Sequence, residues 1–182
     1  FIGGGEESFG FLVGDFVRDK DSITTTVLAC EVAAVAKANG SSFFEELLKV
    51  YEKTGMYRES LVNITREGLS GAQEIKAMMD SLRENPLKSI DGSPVVKIDD
   101  YKTSISRDMI AGTESAIEIP KSDVLIYYTA DGTKIAARPS GTEPKIKFYF
   151  SVNTPFAGAE HYDETVAVLE EKLARIKKEM DL

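Results

Sequence analysis

A run of alternating residues, 145–152, limits most strongly what this chain can fold into. Apolar side chains occupy every second position of the run, with Lys, Tyr and Ser between them. This alternation predicts a β-strand with one buried face and one exposed face. A second strand is predicted just upstream, at 133–138, after the turn signal Asp131-Gly132. The two predicted strands therefore hold residues 138–145 as a loop between them.

That loop reads Arg-Pro-Ser-Gly-Thr-Glu-Pro-Lys and has the side chains that an anion site needs. Arg138 can grip two phosphate oxygens with parallel charge-assisted hydrogen bonds. Ser140 and Thr142 can donate O–H groups, and Gly141 allows a ligand to approach the backbone. The alternative interpretation is an ordinary turn, in which the serine and threonine only cap backbone groups.

Two polar stretches near the start of the chain are also candidate binding elements. Residues 5–10 read Gly-Glu-Glu-Ser-Phe-Gly, where Glu6 and Ser8 can accept and donate hydrogen bonds to sugar hydroxyls. The alternative there is a glycine turn with two solvated acids. Residues 18–21 read Arg-Asp-Lys-Asp, which is also typical of a solvated loop before a helix, with Asp21 or Ser22 as its N-cap.

Together and in this order, the loops resemble the sugar-binding and phosphate-binding loops of the α-D-phosphohexomutases, the phosphoglucomutase/phosphomannomutase superfamily. The resemblance implies that the Arg-x-Ser-Gly-Thr residues hold the non-transferred phosphate of the substrate. It also implies that Glu6 and Ser8 contact the sugar and that Lys20 reaches the substrate. The implied substrate-binding set is Glu6, Ser8, Lys20, Arg138, Ser140, Gly141 and Thr142.

The resemblance further implies an isomerase that moves a phosphoryl group between sugar 1-phosphate and 6-phosphate. It works through a phosphoserine, a sugar bisphosphate that also acts as activator, and a bound Mg2+. The family's serine loop and metal loop do not occur in this sequence. We therefore expect a C-terminal fragment that binds the substrate but contains no catalytic residue or metal ligand and is inactive alone. Glucose is the expected sugar, and mannose, glucosamine and pentose phosphates stay open.

The chain is expected to combine α/β and α+β structure in two domains. Residues 1–55 are predicted to be the tail of an α/β sugar-binding domain, the third of the family, with two helices. The first helix, 23–38, is so uniformly apolar that burial against a sheet is predicted. Residues 56–182 are predicted to be the fourth, phosphate-binding domain. Its expected fold resembles the TATA-box-binding protein, with an antiparallel sheet of about four to five strands and two helices. Residues 100–122 are hard to interpret, with a short strand expected at 116–119.

The amino-acid composition limits which partners and which cellular setting are expected. An antiparallel sheet with two helices can bind nucleic acid, but the net charge of −8 argues against a nucleic-acid partner. The single cysteine, Cys30, suits a reducing, cytoplasmic setting, and no apolar run is long enough to span a membrane. Because the sequence begins with Phe1 directly on a motif, we expect it to pack against upstream domains of the same chain. A stand-alone module that binds sugar phosphates or anions is the alternative, and the oligomeric state stays open.

Overall fold

A computed structural model describes residues 2–6, 10–68 and 70–182. The chain divides into two compact units, Phe1–Lys53 and Thr54–Leu182. Each unit has its own secondary structure. The assignment of residues 1–55 and 56–182 to a sugar-binding and a phosphate-binding domain stays a prediction.

The first unit contains a short hairpin followed by two helices. Strands β1 (Gly3–Gly5) and β2 (Phe11–Val13) pair antiparallel, and helices α1 (Ser22–Ala38) and α2 (Phe43–Thr54) follow. Asp21 caps α1, because its carboxylate accepts hydrogen bonds from the N–H groups of Ile23 and Thr24. This confirms the first of the two N-cap candidates, Asp21 and Ser22. The Ser42 hydroxyl accepts a hydrogen bond from Glu45 N at 3.1 Å at the start of α2.

The predicted burial of α1 is wrong for this chain. Only Ala36 is buried in the helix, while Ile23 is 75% exposed and Val27 is 62% exposed. A uniformly apolar helix is expected to pack against other elements. The described part of the first unit has only two strands of three residues each as a sheet, which is too small to bury the helix. Composition alone cannot show which element supplies the cover.

The second unit is built on one antiparallel sheet. The described strands are β3 (Met56–Thr65), β4 (Ser89–Ile90), β5 (Ser93–Asp100), β6 (Ile105–Asp108), β7 (Thr113–Ala116), β8 (Leu125–Thr129), β9 (Lys134–Pro139) and β10 (Lys145–Thr154). Their order across the sheet is β3-β10-β9-β8-β5-β6-β7, with β4 paired to β5. Helices α3 (Gly71–Glu84) and α4 (Tyr162–Glu179) complete the unit, and a short 3-10 helix, Ala159–His161, precedes α4.

The predicted class, helices with a mostly antiparallel sheet, is confirmed, but the sheet is larger than expected. It has eight strands among the described residues instead of about four to five. The additional strands lie in residues 89–116, where β4 has only two residues and β7 is exposed at all its positions. A strand of two residues is too short, and a fully exposed strand has no buried face, so neither shows an alternation in the sequence. The strand expected at 116–119 lies at Thr113–Ala116 instead.

The two faces of this sheet differ because side chains alternate along each strand. Helix α4 packs on β3 and β10, and α3 packs on β9 and β10. The side chains on that face are fully buried along β10, namely Ile146, Phe148, Phe150 and Val152. Arg58 of β3 also points to that side, where it binds Glu170 of α4 at 2.6 Å. The intervening residues therefore lie on the opposite face, which we call the outer face.

Polar contacts attach the helices to β8 and to the turn that follows it. Tyr127 is 1% exposed, and its hydroxyl donates to Leu82 O of α3 at 2.6 Å. At the turn between β8 and β9, the Asp131 carboxylate accepts a hydrogen bond from Lys172 of α4 at 2.7 Å. These contacts fix where β8 and β9 sit under the helices. Among the described residues, no helix combines the length and the hydropathy needed to cross a membrane.

Candidate functional site

The predicted phosphate loop, residues 138–145, is held tightly at its base. It leaves β9 after Pro139 and enters β10 at Lys145, and Ser140 N donates to Lys145 O at 2.7 Å. Arg66 N, just after β3, donates to Pro144 O at 2.9 Å. The loop is therefore anchored to two different strand ends, which lowers the conformational freedom that it would lose on binding a ligand.

The hydroxyl of Ser140 organises the tip of the loop. It accepts hydrogen bonds from Thr142 N at 3.4 Å and from Glu143 N at 3.2 Å. Both N–H groups thus point toward one oxygen, which leaves the hydroxyl hydrogen of Ser140 to donate elsewhere. An anion that takes these N–H groups would replace the Ser140 oxygen with a charged acceptor, which makes a stronger hydrogen bond.

Packing within the described structure does not explain why position 141 is a glycine. A Cβ added there would have no heavy atom within 4 Å, and the backbone is not in the left-handed region. The protein around it therefore tolerates a side chain at this position. A requirement for glycine would have to come from a ligand that approaches the backbone, as the sequence predicts.

Three cationic side chains surround the loop. Arg138, Lys145 and Lys147 line a depression of about 310 Å³ together with Ser140 and Glu143. Arg138 is exposed and pairs in register with Lys147 of the neighbouring strand, so the two cations lie side by side on the outer face. All four loop residues predicted to bind phosphate, Arg138, Ser140, Gly141 and Thr142, line this depression.

Lys145 and Lys147 were not among the predicted site residues. The alternation of 145–152 shows that both lie on the exposed side of β10, but exposed lysines are common on strands. What singles them out is the pairing with β9, which brings Lys147 beside Arg138. Three cations and one carboxylate, Glu143, line this small depression. The cations are in excess there, which favours anions although the net charge of the chain is −8.

The candidate sugar loop lies in the first unit. Glu6 and Lys20 line a depression of about 280 Å³ with Arg18 and Asp19, two further charged residues outside the predicted set. Lys20 Nζ lies 3.4 Å from Glu6 Oε1 and 3.6 Å from Asp19 Oδ1. The charge and hydrogen bond of Glu6, followed by the charge of Asp19, raise the pKa of Lys20 above its usual value. Ser8 lies outside the described residues.

Gly10 is the residue that allows Glu6 and Lys20 to meet. A Cβ on Gly10 would lie 2.6 Å from Glu6 Oε2 and 2.9 Å from the Cγ and Cδ atoms of Lys20. The loop is closed by a hydrogen bond from Glu6 N to Gly10 O at 2.8 Å, which brings these residues together. A side chain on Gly10 would therefore force the side chains of Glu6 and Lys20 to shift.

The described residues offer no site for the Mg2+ that the resemblance implies. They contain no group of three or more His, Cys, Asp or Glu side chains that could hold a metal ion. Asp131, the acid of the predicted hairpin turn, binds Lys172. The charged side chains that line the two depressions are candidates for binding an anion and hydroxyl groups.

Comparison with known proteins gives consistent matches. Residues 1–51 match the family "Phosphoglucomutase/phosphomannomutase, alpha/beta/alpha domain III". A phosphoglucomutase of Staphylococcus haemolyticus is 40% identical over 148 residues, which are 81% of this chain and 27% of that protein. A phosphoglucomutase of Staphylococcus aureus strain MRSA252 is 41% identical over 150 residues, 82% of this chain and 27% of that protein. This chain thus spans about a quarter of these relatives.

A solved structure supports the fold. The phosphoglucomutase pp63/parafusin from Paramecium, in its open form, matches with a TM-score of 0.52 and 17% identity over 94% of this chain and 30% of its own. The family model and the two staphylococcal relatives indicate the same class of protein, the phosphoglucomutases and phosphomannomutases. The chain belongs to the α-D-phosphohexomutase superfamily and corresponds to its C-terminal region.

Proposed function

We propose that this chain supplies the sugar-binding and phosphate-binding loops of a phosphohexomutase that interconverts hexose 1-phosphates and 6-phosphates, with glucose as the sugar. Loop 138–145 would hold the phosphate that is not being transferred. Glu6, Ser8 and Lys20 would contact the sugar. In this proposal residues 1–55 complete the sugar-binding domain and residues 56–182 form the phosphate-binding domain.

One observation carries the proposal: Arg138, Lys145 and Lys147 line one depression together with Ser140. Phosphate monoesters are dianions near neutral pH, and a cluster of cations with a hydroxyl donor matches that charge. The carboxylate of Glu6 lies in the other unit. It would repel a phosphate but accepts hydrogen bonds from hydroxyls.

The proposed mechanism assigns positioning to these residues. The reaction passes through a sugar bisphosphate that turns around and returns its other phosphate to a serine outside this chain. A clip of cations and hydroxyls suits this reversal, since it grips phosphate without distinguishing which end of the sugar carries it. Glu6 and Lys20 would hold the ring by its hydroxyls. Mg2+ bound elsewhere in the enzyme would stabilise negative charge at the serine.

The test is calorimetry on the 182-residue chain with inorganic phosphate and glucose 6-phosphate. Arg138→Ala is expected to weaken the affinity for both ligands by about tenfold. This is the lower end of the range for losing a charge-assisted hydrogen bond, and we expect the lower end because Arg138 is exposed. Arg138→Lys is expected to recover only part, since a point charge cannot form the fork. Glu6→Gln is expected to weaken glucose 6-phosphate and leave inorganic phosphate unchanged.

Arg107→Ala is the matched control. This arginine lies on β6 of the same sheet and pairs with Glu114 at 2.9 Å, outside the depression. It should leave both affinities unchanged. Equal losses in Arg138→Ala and Arg107→Ala would mean that the loop is not the anion site. Equal loss of inorganic phosphate in Glu6→Gln and Arg138→Ala would overturn the division into a sugar loop and a phosphate loop.

A further inference from the structure

The outer face of the sheet carries side chains in ordered rows that begin at loop 138–145. The strand register defines each row across neighbouring strands. The first row, nearest the loop, consists of Asn63, Lys147 and Arg138. The second row consists of Leu61, Tyr149, Ala136 and Ile126. The third row consists of Glu59, Ser151, Lys134 and Tyr128.

The first two rows differ sharply in chemistry. The first contains two cations and an amide, whereas the second contains three aliphatic side chains and the ring of Tyr149. The second row is accessible, because Leu61 is 37% exposed and its other members are partly exposed. The Nζ atom of Lys147 lies 5.9 Å from the centre of the Tyr149 ring. A cationic row is therefore directly followed by an apolar row with an aromatic centre.

The spacing of these rows sets the size of a ligand that would use both. Successive same-face residues on a strand are about 6.8 Å apart, twice the rise per residue. A phosphate held by Arg138 and Lys147 therefore places the next few ångströms of its organic group over Tyr149. A ring attached directly to the phosphate would reach the second row.

An aromatic ring suits this row better than a sugar. The aliphatic side chains of Leu61, Ala136 and Ile126 cannot accept or donate hydrogen bonds. Sugar hydroxyls buried against them would lose their water without gaining a partner, which is unfavourable. A flat aromatic ring has no such groups, and it can stack on Tyr149 in the offset geometry that aromatic pairs prefer.

We propose that the outer face beside loop 138–145 binds aromatic phosphate monoesters, with the phosphate on Arg138 and Lys147 and the ring on Tyr149. Such ligands compete with sugar phosphates for the loop. This inference rests on the proposed phosphate-binding role of the loop, and it extends that role to a second ligand class.

The test compares phenyl phosphate with inorganic phosphate by calorimetry on the 182-residue chain. Phenyl phosphate is expected to bind about tenfold more tightly, as ring stacking on an exposed aromatic side chain provides. Tyr149→Leu, which keeps an apolar side chain but removes the ring, is expected to abolish most of this advantage. It should leave the affinity for inorganic phosphate unchanged. Arg138→Ala is expected to weaken both ligands.

Tyr57→Ala is the matched control, since Tyr57 is 49% exposed on the same face but pairs with Asn153, far along β3 from Arg138. It should change neither affinity. Equal affinities for the two ligands in the unmodified chain would overturn the inference while leaving the phosphate loop intact. So would an advantage that survives Tyr149→Leu or disappears in Tyr57→Ala. If neither ligand binds, the proposed phosphate role of the loop fails, and this inference fails with it.

Discussion

The contact between Asp131 and Lys172 should be a strong stabilising contact of the second unit. Asp131 lies in the turn between β8 and β9 and accepts hydrogen bonds from Lys172 Nζ at 2.7 Å, Thr129 Oγ1 at 2.5 Å and Thr133 N at 3.2 Å. The Lys172 side chain is only 12% exposed. Asp131→Asn keeps the size of the side chain but removes the carboxylate that this mostly buried lysine binds.

The expected loss follows from the two exposures. Removing one partner of a fully buried pair costs about 3–5 kcal/mol, and exposed pairs contribute about 1 kcal/mol or less. The carboxylate of Asp131 is 37% exposed, so we expect Asp131→Asn to lower the free energy of unfolding by about 1–3 kcal/mol. Adding Lys172→Met should restore part of the loss, because no uncompensated charge is then left in the interior.

The pair should also make stability depend on pH. Burial pushes the pKa of Asp131 upward, but hydrogen bonds from Lys172, Thr129 and Thr133 outweigh it and hold the pKa well below its usual range. A folded-state pKa below the unfolded value means that the stabilisation is complete at neutral pH. It is lost as the pH falls below about 4, the ordinary value for Asp, toward the folded-state pKa.

Urea unfolding followed by far-ultraviolet circular dichroism measures these changes. It should be carried out at neutral pH and at acidic pH. Asp131→Asn should be less stable than the unmodified chain at neutral pH and should differ less from it in acid. Asp181→Asn serves as the control, since Asp181 is an exposed acid just after α4. Its backbone is in the left-handed region, which Asn adopts as readily as Asp. An unchanged free energy of unfolding in Asp131→Asn would refute the reasoning. So would a double variant, Asp131→Asn with Lys172→Met, whose loss of stability equals the sum of the losses in the two single variants.

Two further predictions concern Gly10 and Tyr127. Gly10→Ala should break the Glu6–Lys20 pair, because its Cβ would lie 2.6 Å from Glu6 Oε2. The Lys20 pKa, followed by nuclear magnetic resonance, should then fall toward its ordinary value, and an unchanged titration would contradict this. Tyr127→Phe removes the 2.6 Å hydrogen bond to Leu82 O and should lower the free energy of unfolding by about 1 kcal/mol. Urea unfolding measures it, and stability equal to that of the unmodified chain would show that the bond contributes nothing.

The strands that carry loop 138–145 could be predicted because local signals agreed there. The alternation of β10, the Asp131-Gly132 turn and the two loop prolines all indicate the same arrangement. The role of Lys147 could not be predicted in this way. Its place beside Arg138 depends on strand register, which is a property of the folded sheet.

Other errors have the same origin in non-local structure. The exposure of Ile23 and Val27 on α1 depends on what else packs on the helix, and its own composition cannot show that. Strand β4 escaped prediction because two residues are too few to show an alternation. Strand β7 was expected at 116–119 instead of Thr113–Ala116, because it is exposed at all its positions and so leaves no pattern. The pairing of Glu6 with Lys20 was not predicted either, since the folded loop brings together residues that are separated in the sequence.

The pairing of β3 with β10 has a consequence for how the second unit folds. These strands form ten residue pairs, yet their partners are far apart in the chain, as Thr65 with Lys145 and Met56 with Thr154. The ladder therefore joins the first strand of the unit to the last one. Such non-local pairing closes a long loop before it gains contacts, which slows folding. During synthesis β3 cannot pair with β10 until β10 has been made. The hydrogen bond from Arg66 N to Pro144 O, which anchors loop 138–145, therefore forms only at that late step.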